Sequence, residues 1–119
     1  MIIHNYRKVS ATKPADGITM RIIAGPAEKA PNFVMRHFEF EPGAAMPYHT
    51  HPWEHEFFVL EGKGFIKTAS GDKPIEKGDA AVVLPNEMHS VQNPGKDKMS
   101  ILCLVPLVDG KMPTAPGTK

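Results

Sequence analysis

Along this chain apolar and polar residues alternate in short runs, and no stretch shows a convincing amphipathic-helix period. Six segments are the strongest strand candidates: 18–23 (ITMRII), 33–41 (FVMRHFEFE), 55–61 (HEFFVLE), 64–68 (GFIKT), 80–84 (AAVVL) and 99–105 (MSILCLV). Each is rich in β-branched or aromatic residues, which fit a pleated, half-buried surface. Turn-forming groups separate them: Pro42-Gly43, Gly62-Lys63-Gly64, Ser70-Gly71-Asp72, Lys77-Gly78-Asp79 and Asn93-Pro94-Gly95. The pattern predicts an all-β sandwich or barrel, with His89 near the start of one more strand. The polar stretch Asp109–Lys119 is expected to be a loose C-terminal tail.

Composition narrows the possibilities. A chain of 119 residues forms one domain, here with its core over about 18–108, and buries a real core without disulfides. A formal net charge of +1, with both signs interspersed, gives no electrostatic footprint for nucleic acid or a membrane surface. The single cysteine, Cys103, precludes an intrachain disulfide and fits a reducing, cytoplasmic setting. No apolar run approaches a membrane span, and the first residues lack a signal-peptide core.

Histidine is where the chain departs from an ordinary β protein. Residues 49–55 read His-Thr-His-Pro-Trp-Glu-His, and His89 follows 34 positions after His55. Imidazole is the commonest metal-ligating side chain. His49 and His51 are two apart and project from one face of an extended segment. His55 opens the next apolar run, and His89 must be folded back to join them. The cluster predicts a mononuclear metal site built by His49, His51, His55 and His89. The ordinary alternative, four unrelated surface or turn residues, sits poorly with this spacing. His4 and His37 lie outside the pattern and read as surface residues.

These residues carry a specific resemblance. Gly43-x5-His49-x-His51-x3-His55-x6-Gly62 resembles the first motif of the cupin superfamily, with histidine where most members carry glutamate. Gly78-Asp79 through His89-x3-Asn93 resembles the second motif, with Leu84 at the usual proline and Asn86 at the usual glycine. Asn tolerates left-handed backbone, so that turn is expected to survive. The motif tolerates three or four residues before its acidic position, which admits Glu56 as third ligand; the six residues between His55 and Gly62 favour His55. Glu56 is then a solvated, outward carboxylate.

The resemblance covers roughly residues 33–108 and implies a double-stranded β-helix, the jelly-roll barrel, in a small single-domain cupin. The four-histidine manganese-binding members are the most similar. It implies one divalent ion, manganese first and iron next, and a homodimer. Imidazole also serves nickel, zinc and copper, so the ligands alone do not choose the metal. Four neutral imidazoles leave the site at the ion's own charge, with about two positions of an octahedral shell open. That suits a reactive centre better than a closed structural zinc site.

Strand parity suggests the neighbours. In 33–41, Val34, Arg36, Phe38 and Phe40 share one face, which should look inward. A guanidinium on an apolar wall needs an anionic partner, either a substrate carboxylate or enolate, or else an internal salt bridge or the barrel rim. In 99–105 either Ile101-Cys103-Val105 or the alternate set faces inward, and Cys103 lines the pocket in the first case. A buried, inert thiol is the commoner outcome. Met46 and Val91 add to an apolar lining, and Trp53 reads as a packing residue. Phe58 and Leu60, opposite the face of His55, suggest burial against another sheet or subunit.

No nucleophile stands beside a general base and no Gly-rich phosphate cradle occurs. The leading expectation is therefore a metal-dependent oxidoreductase of dioxygenase type, acting on a small carboxylate- or enol-bearing molecule. Metal-assisted isomerisation or decarboxylation is a variant of it. The competing class is a non-catalytic module that binds or senses a small ligand or the metal, since one fold hosts many chemistries.

Overall fold

The computed structural model describes residues 1–113. The six expected strands all form, as does the further one expected near His89, and two more, Thr12–Ala15 and Gly71–Glu76, join them. In chain order they are β1 (Thr12–Ala15), β2 (Ile18–Ala24), β3 (Phe33–Phe40), β4 (His55–Glu61), β5 (Lys63–Thr68), β6 (Gly71–Glu76), β7 (Ala80–Val83), β8 (His89–Gln92) and β9 (Met99–Pro106). Among the described residues helix is confined to two single 3₁₀ turns, Tyr6–Lys8 and Pro26–Glu28. Among the described residues no helix is long and apolar enough to cross a membrane.

The strands make two antiparallel sheets, ordered β1-β2-β3-β9-β4-β7 and β6-β5-β8. Their inner faces enclose the core as a jelly-roll barrel. Period-two alternation places that core. Met99, Ile101, Cys103 and Val105 of β9 are buried while Ser100, Leu102 and Leu104 are not. Cross-strand register stacks like with like: Cys103 lies opposite Arg36 of β3 and Phe57 of β4, all on the inner face. The open choice in β9 thus resolves in favour of the Cys103 set, and the inward placement of Val34, Phe38 and Phe40 holds.

The chain passes from the large sheet to the small one at Gly62. Its φ is 81°, and a Cβ there would lie 2.6 Å from the Lys98 carbonyl oxygen. Gly64 is equally constrained, because a Cβ would fall 2.3 Å from the carbonyl oxygen of Gln92. Only glycine lets β5 run this close to β8. Asn86 does adopt the left-handed conformation, φ 69°, and its N–H donates to the His51 carbonyl at 2.7 Å. The departure from glycine at that position therefore leaves the turn intact. Asn93 is wholly buried, and its amide donates to the carbonyls of Phe40 and Asp97 at 3.0 and 2.9 Å, pinning the end of the second motif.

Three expectations change. β1 and β6 are strands that the pattern did not signal: each lacks a legible alternation and carries a proline, Pro14 or Pro74, at a sheet edge. His37 is not a surface residue. It is 5% exposed, because the N-terminal segment crosses the outer face of β3 and stacks Tyr6 on the imidazole at 4.3 Å. The start of the tail is not loose either. Val108 and Lys111 exchange backbone hydrogen bonds around a turn, and Met112 packs on the core. Residues 114–119 lie outside the described residues. His4 is exposed, as expected, with its ring nitrogen 2.6 Å from the Ile23 carbonyl.

Candidate metal centre

Two separated stretches of chain bring the four histidines together. His49 and His89 pair as a β-bridge, each N–H donating to the other's carbonyl at 3.1 and 2.9 Å. His51 follows on the same segment, and the Asn86 N–H to its carbonyl ties it to the loop before β8. His55 is the first residue of β4, facing inward, while Glu56 is exposed on the outer face opposite Val82 and Leu104. Parity therefore excludes Glu56 from the cluster and includes His55.

One ligand-capable atom from each of the four histidines lies within 4.8 Å of all the others. Two nitrogens on opposite sides of one ion, at about 2.1 Å each, are about 4.2 Å apart, so small ring movements close the cluster onto a single ion. The second nitrogens are already committed. Nδ1–H of His49 donates to Pro47 O at 2.6 Å, that of His51 to Trp53 O at 2.8 Å, and that of His89 to Glu87 O at 2.8 Å. A carbonyl only accepts, so each of these three rings keeps its lone pair on Nε2. The Nε2 atoms of His51 and His89 are buried with no hydrogen-bond partner among the described residues. A buried polar atom left unpaired costs about 1–3 kcal/mol, and two lone pairs in one cluster suit an electrophile that both can reach. The residues fit a divalent ion.

Electrostatics agree with that fit. Burial pushes the His51 ring down to about 4 and the His55 ring down to about 2, with nearby Arg36 adding to the effect on His55. Burial also lowers His89. At neutral pH these three imidazoles are uncharged donors, with no proton for a metal to displace. Packing fixes two of them: Trp53 stacks on His51 at 4.4 Å and 6°, and Phe57 on His55 at 5.2 Å and 17°.

The cluster opens into a cavity of about 240 Å³. Its walls are mainly apolar, with Met20, Phe38, Phe40, Met46, Val91 and Ile101 among the lining residues. Arg36 and Cys103 also line it, as the strand parity of Arg36 required. Arg36 makes no salt bridge among the described residues; its Nη2 donates to Cys103 Sγ at 3.0 Å and its buried Nε has no partner. Burial pushes the Cys103 thiol up, the neighbouring guanidinium opposing the shift. Met112 and Pro113 reach the same cavity from the C-terminal turn, and Thr12 and Pro14 from β1. Sequence reasoning missed these. The parity of Ile18, Met20 and Ile22 could have found Met20, but nothing in the tail signalled its return.

Comparison with known proteins agrees with the architecture. A family model described as "Cupin domain" matches residues 36–105. An (R)-mandelonitrile lyase from Granulicella tundricola is 30% identical over 108 residues, covering 87% of this chain and 82% of that protein. Among solved structures, the polyketide cyclase RemF from Streptomyces resistomycificus superposes with a TM-score of 0.84 at 24% identity, over 100% of this chain and 84% of the other. A predicted oxalate decarboxylase from Thermotoga maritima gives 0.79 at 18% identity, over 90% and 100%. At such identities the solved structures speak for the fold alone. With a matching domain model across both histidine motifs and a relative aligned along most of its length, this chain belongs to the cupin-domain family.

Proposed function

We propose that the chain is a metal-dependent enzyme acting on a small organic molecule with an apolar body and an oxygen-bearing head. One observation carries this reading: four histidines and Arg36, which has no carboxylate partner among the described residues, line one mainly apolar cavity. His49, His51, His55 and His89 hold the ion, manganese or iron ahead of nickel, zinc or copper. When bound, the ion supplies Lewis-acid polarisation of the head's oxygen, or a redox centre. Arg36 donates to the same head and orients it; a guanidinium suits a carboxylate, an enolate or an alkoxide. A cavity of about 150 Å³ holds benzene, so about 240 Å³ takes one substituted ring or an aliphatic body of like size. The apolar walls exclude water from the reacting head.

Two reaction classes suit this arrangement. The mandelonitrile lyase relative supports bond cleavage beside a hydroxyl-bearing carbon. The four neutral imidazoles support the oxidoreductase, dioxygenase-type reading, because they favour a divalent, oxygen-reactive ion. Exposed Phe58 of β4, Val82 of β7 and Leu84 just after β7 support a homodimer.

The test is to incubate metal-loaded and chelator-stripped protein with mandelonitrile and with a panel of small carboxylates and enols. Benzaldehyde release and oxygen uptake are read together. Metal-dependent aldehyde release assigns the lyase class, and metal-dependent oxygen uptake the oxidoreductase class. Either activity should vanish in His49→Ala. Saturable binding without product over hours identifies a binding module, and protein that neither holds an ion nor binds any of these compounds overturns the reading.

A further inference from the structure

Three of the four clustered imidazoles are oriented by main-chain carbonyls, and the fourth is not. His55 Nδ1 has no carbonyl within hydrogen-bond distance among the described residues. It lies 3.1 Å from Cys103 Sγ and 3.4 Å from Arg36 Nη2. The guanidinium can only donate, and its Nη2 is already 3.0 Å from the same sulfur. The group available to receive a proton from His55 Nδ1 is therefore the Cys103 sulfur. Register puts it there: Cys103 sits opposite both Arg36 and Phe57, two residues along β4 from His55.

We propose that Cys103 is a positioning residue whose sulfur accepts hydrogen bonds from both His55 Nδ1–H and Arg36 Nη2–H. This orients His55 with Nε2 toward the cluster and holds the head-binding guanidinium beside it. The assignment rests on reading the four histidines as ligands of one ion. It places Cys103 in the role that Pro47 O, Trp53 O and Glu87 O play for the other rings. It also links the ion to the anion anchor, since one sulfur fixes both. Partners of this kind typically carry 10–100-fold in metal affinity.

The first measurement is ring-nitrogen NMR of metal-free protein, which reports the tautomer of each histidine. Wild type is expected to show His55 protonated at Nδ1, matching His49, His51 and His89. Cys103→Val, close in volume and without an acceptor, is expected to shift His55 toward a mixture of tautomers. The second measurement is Zn(II) affinity by chelator competition. Cys103→Val should bind about 10–100-fold more weakly, and Cys103→Ser, which keeps an acceptor, should recover most of the loss. Leu102→Ala, on the outward parity of the same strand and outside the cavity lining, should leave affinity unchanged.

Wild-type His55 protonated at Nε2, or a Cys103→Val variant with unaltered tautomer and affinity, overturns the proposal while leaving the metal site standing. Wild type that binds no Zn(II) but shows the expected tautomer overturns the metal reading and leaves the positioning role intact. If Cys103→Val does not fold, the wild-type tautomer decides.

Discussion

His55 and His37 lie on opposite faces of the same large sheet, both nearly out of contact with water. Each has its pKa lowered, first by desolvation. Each environment contains an unpartnered ring nitrogen: Nδ1 in His37, and Nε2 in His51 and His89 beside His55. The His55 side differs in that four rings converge, with three second nitrogens tied to carbonyls. On the His37 side a single ring is capped by Tyr6 and flanked by the Arg21–Glu39 pair at 3.0 Å. A buried histidine with an orphan nitrogen is therefore not evidence of a metal ligand by itself. Convergence with the tautomers already set is what separates a site from packing.

Substitution breaks the comparison most sharply. His51→Ala or His89→Ala should weaken metal binding by more than about 100-fold, since a lost ligand costs more than a lost partner of one. His37→Ala should leave metal affinity within about twofold and instead lower stability by about 1–2 kcal/mol. Titration calorimetry and denaturant unfolding read the two effects separately. Equal metal loss in His37→Ala would erase the distinction.

Next in size is the proposed role of Arg36, on the His55 side, as an anion anchor. Arg36→Met should weaken benzoate binding to metal-loaded protein about 10–100-fold, the worth of a charged hydrogen bond at about 1.5–3 kcal/mol, while metal remains bound. The outward cation of the other face, Arg21, should show no such effect in Arg21→Met. Unchanged benzoate affinity in Arg36→Met would remove Arg36 from the site.

Acid sharpens the contrast in another way. Rings whose folded pKa lies below the unfolded value near 6.5 make the unfolded chain bind more protons, so stability falls as pH drops below about 6.5. For His51 that loss continues to about pH 4 and for His55 to about pH 2, with His89 and His37 adding in the same direction. Metal-free protein should therefore melt several degrees lower at pH 5 than at pH 7.5. His37→Gln should remove a smaller share of that slope than a double His51→Gln, His55→Gln variant. A flat profile would show these rings are not held neutral by burial.

The smallest effect is expected outside both sites. Phe58→Lys, at a 43% exposed position, should change monomer stability by no more than about 0.5 kcal/mol and leave metal binding alone. Sedimentation should show it shifting a wild-type dimer toward monomer. A wild type that is monomeric at all concentrations removes the proposed homodimer.

Much of this was legible in the sequence where β3 alternates, because a period of two fixes which residues look inward; β9 is apolar on both faces, and only its pairing in the sheet chose the inward set. The inward placement of Arg36 follows from that period; the choice of His55 over Glu56 needed the six-residue spacing to Gly62 as well. Spacing and the bracketing glycines marked the four histidines. Burial of His37 was invisible, because it depends on the N-terminal segment folding across β3 rather than on anything in β3 itself. The return of Met112 and Pro113 to the cavity is equally non-local. The edge strands β1 and β6 are defined by pairing partners, not by their own residues, so no reading of their composition could recover them.

The carbonyls behind three of the histidines have an evolutionary corollary. A side-chain replacement cannot delete a main-chain oxygen, so Met46, Phe38 or Ile101 can vary, and with them the molecules admitted, without disorienting those donors. His55 alone leans on a replaceable neighbour. Drift in this barrel should therefore alter what the chamber accepts long before it alters what the chamber holds, and the first donor to be exchanged for another residue type should be the one at position 55.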